Sequence, residues 1–345
     1  MSAIKDNSVH LIVTSPPYPM IEMWDDIFSA QSSEVKLALQ SMDGENAFEE
    51  MHKILDSVWE ECNRVLKPGG FMCINIGDAT RTINKSFRLY NNHSRIVQKC
   101  ESLGLVNLPN IIWRKVTNAP NKFMGSGMLP CGAYVTLEHE YILIFRKGDK
   151  RPYRTACEKK ERMRSSFFWE ERNVWFSDLW DLKGVKQIIS KTASRERSAS
   201  FPLEIPYRLI NMYSQMGDVV LDPFMGLGTT AFAAIITERN SIGYEIDALL
   251  SEIIIDNISN LNIHDINKSI ENRINNHRAF VDSRLSDGKE VKHFDDNLDT
   301  KVMTKQESEI ILHFLNNTVV KSKNPVCIET EFFDESCVQR PLSLF

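Results

Sequence analysis

The sequence predicts an α/β fold in which a parallel sheet is covered by helices, and three observations predict it. Short apolar runs recur as candidate buried strands, segments of helical periodicity stand between them, and a glycine-rich turn joins one such strand to the helix that follows. With 345 residues, 42% of them hydrophobic, the chain has ample material for a core. Charged residues make up 25% and leave a formal net charge of −5, so any surface for a polyanion must be a local patch. No uncharged apolar run reaches the roughly 18 residues of a membrane span, and residues 1–10 are polar with no signal-peptide core; a cytoplasmic protein with no membrane partner is expected. The seven cysteines are scattered and never fall in a C-x-x-C spacing, so neither a disulfide framework nor a metal site is expected.

Residues 9–13 (VHLIV) read as the first strand, stopped at Thr14-Ser15-Pro16-Pro17-Tyr18, where two prolines remove ladder donors. Over 46–66 apolar side chains recur at helical spacing (Phe48, Met51, Ile54, Leu55, Val58, Cys62, Val65, Leu66), and Lys67-Pro68-Gly69-Gly70 closes that helix. A strand follows at 71–76, a helix at 94–103 closed by Gly104, and strands at 110–114 and 141–145. Glu138-His139-Glu140 precedes the last of these; neighbours on a strand point to opposite faces, so the triplet reads as structural.

Between 146 and 197 there are fifteen Lys or Arg against eight Asp or Glu, interleaved with Phe167, Phe168, Trp169, Trp175, Phe176 and Trp180. A solvated helix over 158–164 beside an ordinary hydrophobic cluster accounts for this texture, and so does contact with phosphates. The α/β rhythm resumes with a strand at 218–221, a helix at 230–239 and a strand at 241–246. After Leu261 the chain is polar and Asn-rich and holds no recognisable motif.

In Asp222-Pro223-Phe224-Met225-Gly226-Leu227-Gly228-Thr229-Thr230 the two glycines permit positive φ and close approach to a ligand, with a helix N-terminus behind them. Glu245 lies at the end of the next strand, nineteen positions after Gly226, where a carboxylate accepts hydrogen bonds from both ribose hydroxyls of an adenosine-containing ligand. Ala231 completes G-x-G-x-x-A, which tolerates a dinucleotide. The carboxylate of Asp222 would repel a pyrophosphate and suits the cationic methionine moiety of S-adenosylmethionine, which is the favoured cofactor.

The corner Ser15-Pro16-Pro17-Tyr18 has a plain reading as a rigid loop with an aromatic plug. Its sharper reading is chemical. Ser15 and the Pro16 carbonyl would accept hydrogen bonds from an exocyclic amine, draw it towards tetrahedral geometry and free its lone pair for in-line attack on a sulfonium methyl. Tyr18 would stack on a base rotated out of the duplex.

With both motifs in view, the sequence resembles the DNA amino-methyltransferases in their permuted β arrangement, where T-S-P-P-Y precedes D-P-F-x-G-x-G-T-T. The resemblance extends through Asn7-Ser8-Val9, Arg64-Val65-Leu66-Lys67-Pro68-Gly69-Gly70, Asn75-Ile76-Gly77-Asp78, Phe201-Pro202 and Ile205-Pro206. It covers about residues 7–147 and 198–258. It implies a Rossmann-like sheet with a circularly permuted motif order, Phe201 and Pro202 over the methionine end of the cofactor, and the turn from Asp222 to Thr230 around the rest. Serine at the first position of S-P-P-Y is similar to the cytosine-N4 enzymes, whereas aspartate is usual for adenine-N6. Asp78 is expected either in the pocket or as a loop cap. A strand and a G-D-A segment upstream of Asn7-Ser8-Val9 are also implied, and here the sequence starts at Met1, within the helix expected after them; the adenine pocket then needs another segment or a start further upstream.

The resulting parse is a catalytic half at 1–147, a small DNA-recognition insertion at 148–197, a cofactor-binding half at 198–260 and an extension at 261–345. Loop residues 117–132, with Lys115, Lys122 and Gly125-Ser126-Gly127, are expected to share in DNA contact. The partners implied are double-stranded DNA and a cognate restriction endonuclease. Adenine-N6 methylation, a nicotinamide-dependent oxidoreductase and a non-catalytic DNA-binding module stand as alternatives. All of this expects the proline corner and the glycine corner to face each other across one cleft.

Overall fold

The computed structural model describes residues 1–115, 124–125, 127–184, 201–323 and 326–337. It divides into two compact units, Met1–Arg151 with Asp178–Pro202, and Pro152–Ser177 with Leu203–Phe345. No described helix is long and apolar enough to cross a membrane, and no group of three or more metal-ligating side chains occurs among the described residues.

The first unit is built on five strands, in the spatial order β1 (Val9–Thr14), β2 (Leu66–Ile76), β6 (His139–Lys147), β5 (Leu105–Lys115) and β7 (Leu179–Leu182). β1 is parallel to β2 and β5 to β7, but β6 runs antiparallel to both β2 and β5. The sheet here is mixed, a correction to the expected parallel one. No helix lies between β5 and β6 among the described residues, and a direct return makes neighbouring strands antiparallel, whereas a parallel pair needs a crossover.

Residues of β1, β2 and β6 are buried on both faces, from Leu11, Ile12 and Val13 to Met72, Cys73 and Ile74 and to Ile142, Leu143, Ile144 and Phe145. Helix α1 (Gly44–Val65) begins where Asp43 accepts a hydrogen bond from the Asn46 amide at 3.1 Å, and it buries Met51, Leu55, Trp59, Cys62 and Val65 along one stripe. Helix α2 (Asn92–Ser102) buries Ile96 and Cys100. Between β2 and α2 stands a hairpin absent from the sequence reading, β3 (Ala79–Ile83) with β4 (Ser86–Tyr90), joined through Asn84 and Lys85 at φ +49° and +62°.

The Lys67-Pro68-Gly69-Gly70 segment does not merely close α1; it is already strand. Leu66 pairs with Val9 and Phe71 with Leu11, so two steps along β1 are matched by five along β2, an irregularity of the kind glycine permits. Gly69 sits at φ +80°, and a Cβ on Gly70 would lie 2.7 Å from the His10 carbonyl oxygen.

In the second unit, β8 (Val219–Asp222) leads into α3 (Thr229–Ile236) and returns parallel as β9 (Asn240–Gly243). Around this βαβ unit stand Glu204–Tyr213, Ala248–Ser259 and a 24-residue helix, Ile263–Ser286, which buries Ile266, Ile270, Ile274, His277 and Val281. The described residues after Leu261 include this helix and two antiparallel strand pairs, His293–Asp295 with Thr300–Val302 and His313–Lys323 with Val326–Ser336.

Candidate active site

At the end of β1, Thr14 is fully buried and the chain turns through Ser15-Pro16-Pro17-Tyr18. Pro16 is buried, while Ser15, Pro17 and Tyr18 are half-buried. Asn92, fully buried, donates to the carbonyls of Pro19 at 3.1 Å and Gly77 at 2.9 Å, which ties the corner to the end of β2. Its Oδ1 lies 3.0 Å from His52 Nε2. Burial pulls the His52 imidazole down to about 3, so the ring is neutral and Nε2–H donates to Asn92. That bond orients both amide hydrogens of Asn92 onto the two carbonyls.

The Tyr18 hydroxyl donates to Glu140 Oε2 at 2.8 Å and lies 3.2 Å from Ser15 Oγ. Burial first, then the charge of Glu140, pushes the phenol well above its ordinary value, so it stays protonated as a donor. Asn75 Nδ2 reaches Glu140 Oε2 at 2.7 Å, Tyr18 Oη at 2.8 Å and Ser15 Oγ at 3.4 Å. Lys115, on β5, forms an ion pair with Glu140 Oε1. Asn75 Oδ1 is buried and has no hydrogen-bond partner among the described residues. A Cβ on Gly77 would meet the Tyr18 ring at 3.0 Å and Glu140 Cγ at 3.3 Å, so this glycine leaves room for the tyrosine.

The sequence reading set the triplet of Glu140 aside as structural; the structure brings Glu140 to the proline corner. Its residue is 7% exposed and its carboxylate faces the proline corner. The signal was the strand direction: β6 runs antiparallel to β2, so the first residues of β6 lie beside the last of β2, with Ile76 paired to Tyr141. Asp78 takes the second of its two expected roles. Its Oδ1 accepts from the His93 amide at 3.1 Å and lies 2.8 Å from His93 Nδ1, capping α2.

In the second unit the glycine turn is held from within. Asp222, 4% exposed, accepts from the Phe224 amide at 3.1 Å through Oδ1 and from the Thr230 hydroxyl at 2.7 Å through Oδ2. Its carboxylate is thus a structural pin of the turn as well as a negative charge. Gly226 and Gly228 take φ +55° and +81°, and Gly228 is the N-cap of α3, which Thr229 opens. Glu245 Oε2 accepts from the Gly226 amide at 2.9 Å and Oε1 from the Asp247 amide at 2.8 Å. Each oxygen keeps a further acceptor site, which fits a ribose diol. Pro223 is buried beside Asp222; Phe201, 6% exposed, and Pro202 are buried in the first unit. The two corners belong to different units, each described by itself.

Of the recognition segment 148–197, residues 185–197 lie outside the described residues, as do Thr117, Lys122 and Ser126. Within it, the expected charged helix is present as Ala156–Arg164, with no buried residue. Phe168, Trp175 and Trp180 are buried, and Phe168 stacks on His277 with ring centroids 3.9 Å apart. Those three rings serve cores. Arg273 pairs with Glu171 at 2.7 and 2.8 Å and lies over the Phe168 and Trp175 rings.

A family model described as DNA methylase matches residues 9–256. The chain belongs to the DNA methylase family. It is 50% identical over 335 residues to the Type II methyltransferase M.MthZI of Methanothermobacter thermautotrophicus, covering 96% of this chain and 92% of that one. It is 53% identical over 265 residues to the Type II methyltransferase M.MjaI of Methanocaldococcus jannaschii, covering 74% and 86%. Among solved structures, TTHA0409 of Thermus thermophilus, determined with S-adenosyl-L-methionine, matches with a TM-score of 0.56 at 31% identity over 74% of this chain and 88% of that one. The PvuII DNA methyltransferase shares the fold, with a TM-score of 0.54 at 16% identity over 77% and 86%. Membership makes the protein a DNA methyltransferase and sets aside the nicotinamide oxidoreductase and the non-catalytic binding module.

Proposed function

We propose that this methyltransferase transfers a methyl group from S-adenosylmethionine to the N4 amine of a cytosine within a specific site in double-stranded DNA, protecting that site from a cognate restriction endonuclease. The endonuclease pairing is supported by the relatives, which are named as Type II methyltransferases. The observation that carries the target assignment is Ser15 at the head of the S-P-P-Y corner, part of a cluster with Tyr18, Asn75 and Glu140 that ends in an unpaired buried acceptor. An unpaired acceptor of that kind costs about 1–3 kcal/mol, which an N–H of the incoming base would relieve.

On this reading the first unit serves the acceptor. Ser15 and the Pro16 carbonyl take the hydrogens of the exocyclic amine, whose lone pair is otherwise delocalised into the ring, and the Tyr18 face stacks on the extruded base. The second unit serves the donor. Gly226 and Gly228 admit close approach of a ligand to the turn, Glu245 accepts from the ribose, and Asp222 supplies negative charge opposite the sulfonium while it fixes the turn; from the first unit, Phe201 and Pro202 cover the methionine end. When bound, S-adenosylmethionine supplies an electrophilic methyl carbon on sulfur.

Serine in place of aspartate supports cytosine-N4 over adenine-N6, the second reading. The deciding experiment is methylation of mixed-sequence duplex DNA with labelled S-adenosylmethionine, followed by nucleoside analysis and mapping of the modified positions. N4-methylcytosine at one recurring sequence is expected. Recovery of N6-methyladenine alone would overturn the assignment drawn from Ser15.

A further inference from the structure

Hydrogen-bond polarity gives Glu140 a role in the reaction, on the reading of Ser15–Tyr18 as the amine-binding corner. Tyr18 has one hydroxyl hydrogen and gives it to Glu140 Oε2 at 2.8 Å. With that hydrogen spent, the 3.2 Å contact between Tyr18 Oη and Ser15 Oγ has only one polarity: serine donates and tyrosine accepts. A serine whose hydrogen is committed offers lone pairs alone to whatever approaches. The Asn75 amide reinforces this by donating to Tyr18 Oη and to Glu140. Remove the carboxylate, and Tyr18 is free to turn its hydrogen onto Ser15, which could then present a donor to an amine that is itself a donor.

We infer that Glu140 is the positioning residue of the acceptor site and the terminus of a proton path running Ser15 Oγ, Tyr18 Oη, Glu140 Oε2. Methylation forms one N–C bond and breaks the donor's C–S bond, whose electron pair stays on sulfur. The amine nitrogen then has four bonds and must lose one hydrogen as a proton. Ser15 Oγ accepts that proton while its own passes to Tyr18 Oη and the phenolic hydrogen passes to Glu140. The positive charge delivered by the sulfonium is thereby cancelled by the carboxylate, and the acid returns its proton to solvent after the product leaves. Lys115, paired to Oε1, balances the carboxylate before the reaction. Among the described residues, the groups bonded to Glu140 are Tyr18 from the loop after β1, Asn75 from β2 and Lys115 from β5, and Lys115 is the only cation of these. His139 and Tyr141, its neighbours along β6, lie on the opposite face of the strand.

The test uses Glu140→Gln, Tyr18→Phe, their double variant and Ser15→Ala in the full chain, with S-adenosylmethionine and a cognate duplex. Glu140→Gln keeps the volume, and Lys115, whose side chain is 43% exposed, is free to turn to water. Cofactor and DNA dissociation constants within about two-fold of the parent are expected, with single-turnover methyl transfer slower by about 100-fold, the scale of general acid–base catalysis. The parent rate should fall on the acid side of its pH profile, and that fall should vanish in Glu140→Gln. Tyr18→Phe cuts the same path, and the double variant should be no slower than the slower single one. It also probes the path independently of whether the glutamine variant folds. A Glu140→Gln rate within about three-fold of the parent with the parent's pH profile, or fully multiplicative losses in the double variant, overturns the inference alone if Ser15→Ala is slow. If Ser15→Ala is as fast as the parent, the reading of the corner itself fails.

Discussion

Gly77 shows how little space separates the residues around the proline corner proposed for the acceptor. Its missing side chain is what lets the Tyr18 ring lie against β2, and a methyl group there would have to push the ring or Glu140 aside by a few tenths of an ångström. Gly77→Ala is expected to lower the single-turnover rate by about 10-fold with cofactor affinity unchanged, since a misplacement of ~1 Å can cost ~100-fold. Rapid-quench methylation checks it, and an undisturbed rate would mean that Tyr18 is not held where it acts. Gly226 poses the complementary case. Among the described residues, and apart from its chain neighbours, no atom lies closer than 3.9 Å to a Cβ placed there, but φ is +55°, a region that β-branched residues strongly avoid. Gly226→Val should therefore distort the turn that presents its amide to Glu245 and abolish cofactor binding in equilibrium dialysis. Normal affinity in that variant would remove the turn from the donor site. Ser15, Tyr18 and Gly226 were all legible in the sequence because each belongs to a contiguous motif. Asn75 was legible only as part of a family-like stretch, and the placement of Glu140 beside Tyr18 was not legible, because no local pattern says which face of a strand meets a loop about 120 residues away.

The start of β2 is where element-scale reasoning from sequence went astray. Pro68, Gly69 and Gly70 are ordinary helix-stop residues, and the helix does stop, but the same residues are also strand, bulged against β1. The bulge places the Gly70 α-carbon so close to the backbone that an added Cβ would lie 2.7 Å from the His10 carbonyl oxygen and 2.9 Å from that of Lys67. Backbone cannot yield as a side chain can. Gly70→Ala should destabilise the protein by about 1–3 kcal/mol, read from the urea midpoint at constant slope, and a shift near zero would mean that the bulge is softer than the packing implies. The long helix Ile263–Ser286 failed differently. Its buried stripe of Ile266, Ile270 and Ile274 has helical spacing, yet Asn, Asp and Ser around it dilute the signal that periodicity relies on. The hairpin of β3 and β4 also escaped notice, for its turn residues are Asn84 and Lys85 rather than a glycine pair.

For the molecule as a whole, two buried groups give the two units opposite responses to acid. His52, in the first unit, is held down to about 3 by burial. The unfolded chain binds its proton more readily, so this contribution to stability is complete above about pH 6.5 and is lost as pH falls towards 3, at about 1.4 kcal/mol per pH unit. Asp295, in the second unit, is pushed by burial from 3.8 up to about 6 against hydrogen bonds from Leu298 and Asn297. Its contribution runs the other way, present in full below pH 3.8 and lost as pH rises to 6. Native-state hydrogen exchange at pH 7 and pH 5, corrected for intrinsic rates, should show protection falling around α1 and α2 in the parent but not in His52→Gln. Protection around Asn297 and Leu298 should rise on acidification in the parent and not in Asp295→Asn. The reverse pattern would mean that neither group governs its unit.

The sequence by itself determined the family-like pair of motifs, the positions of most central strands and the conformation of the glycine turn proposed for the donor, because each depends on residues adjacent in the chain, where φ preferences, proline and glycine act directly. Tertiary structure alone decided the mixed sheet, the convergence of Asn75 and Glu140 on Tyr18 and the pairing of Lys115 with Glu140. Those neighbours come from β2, β5 and β6, and contact across a sheet is fixed by strand order and direction, which long-range pairing sets and no spacing along the chain records.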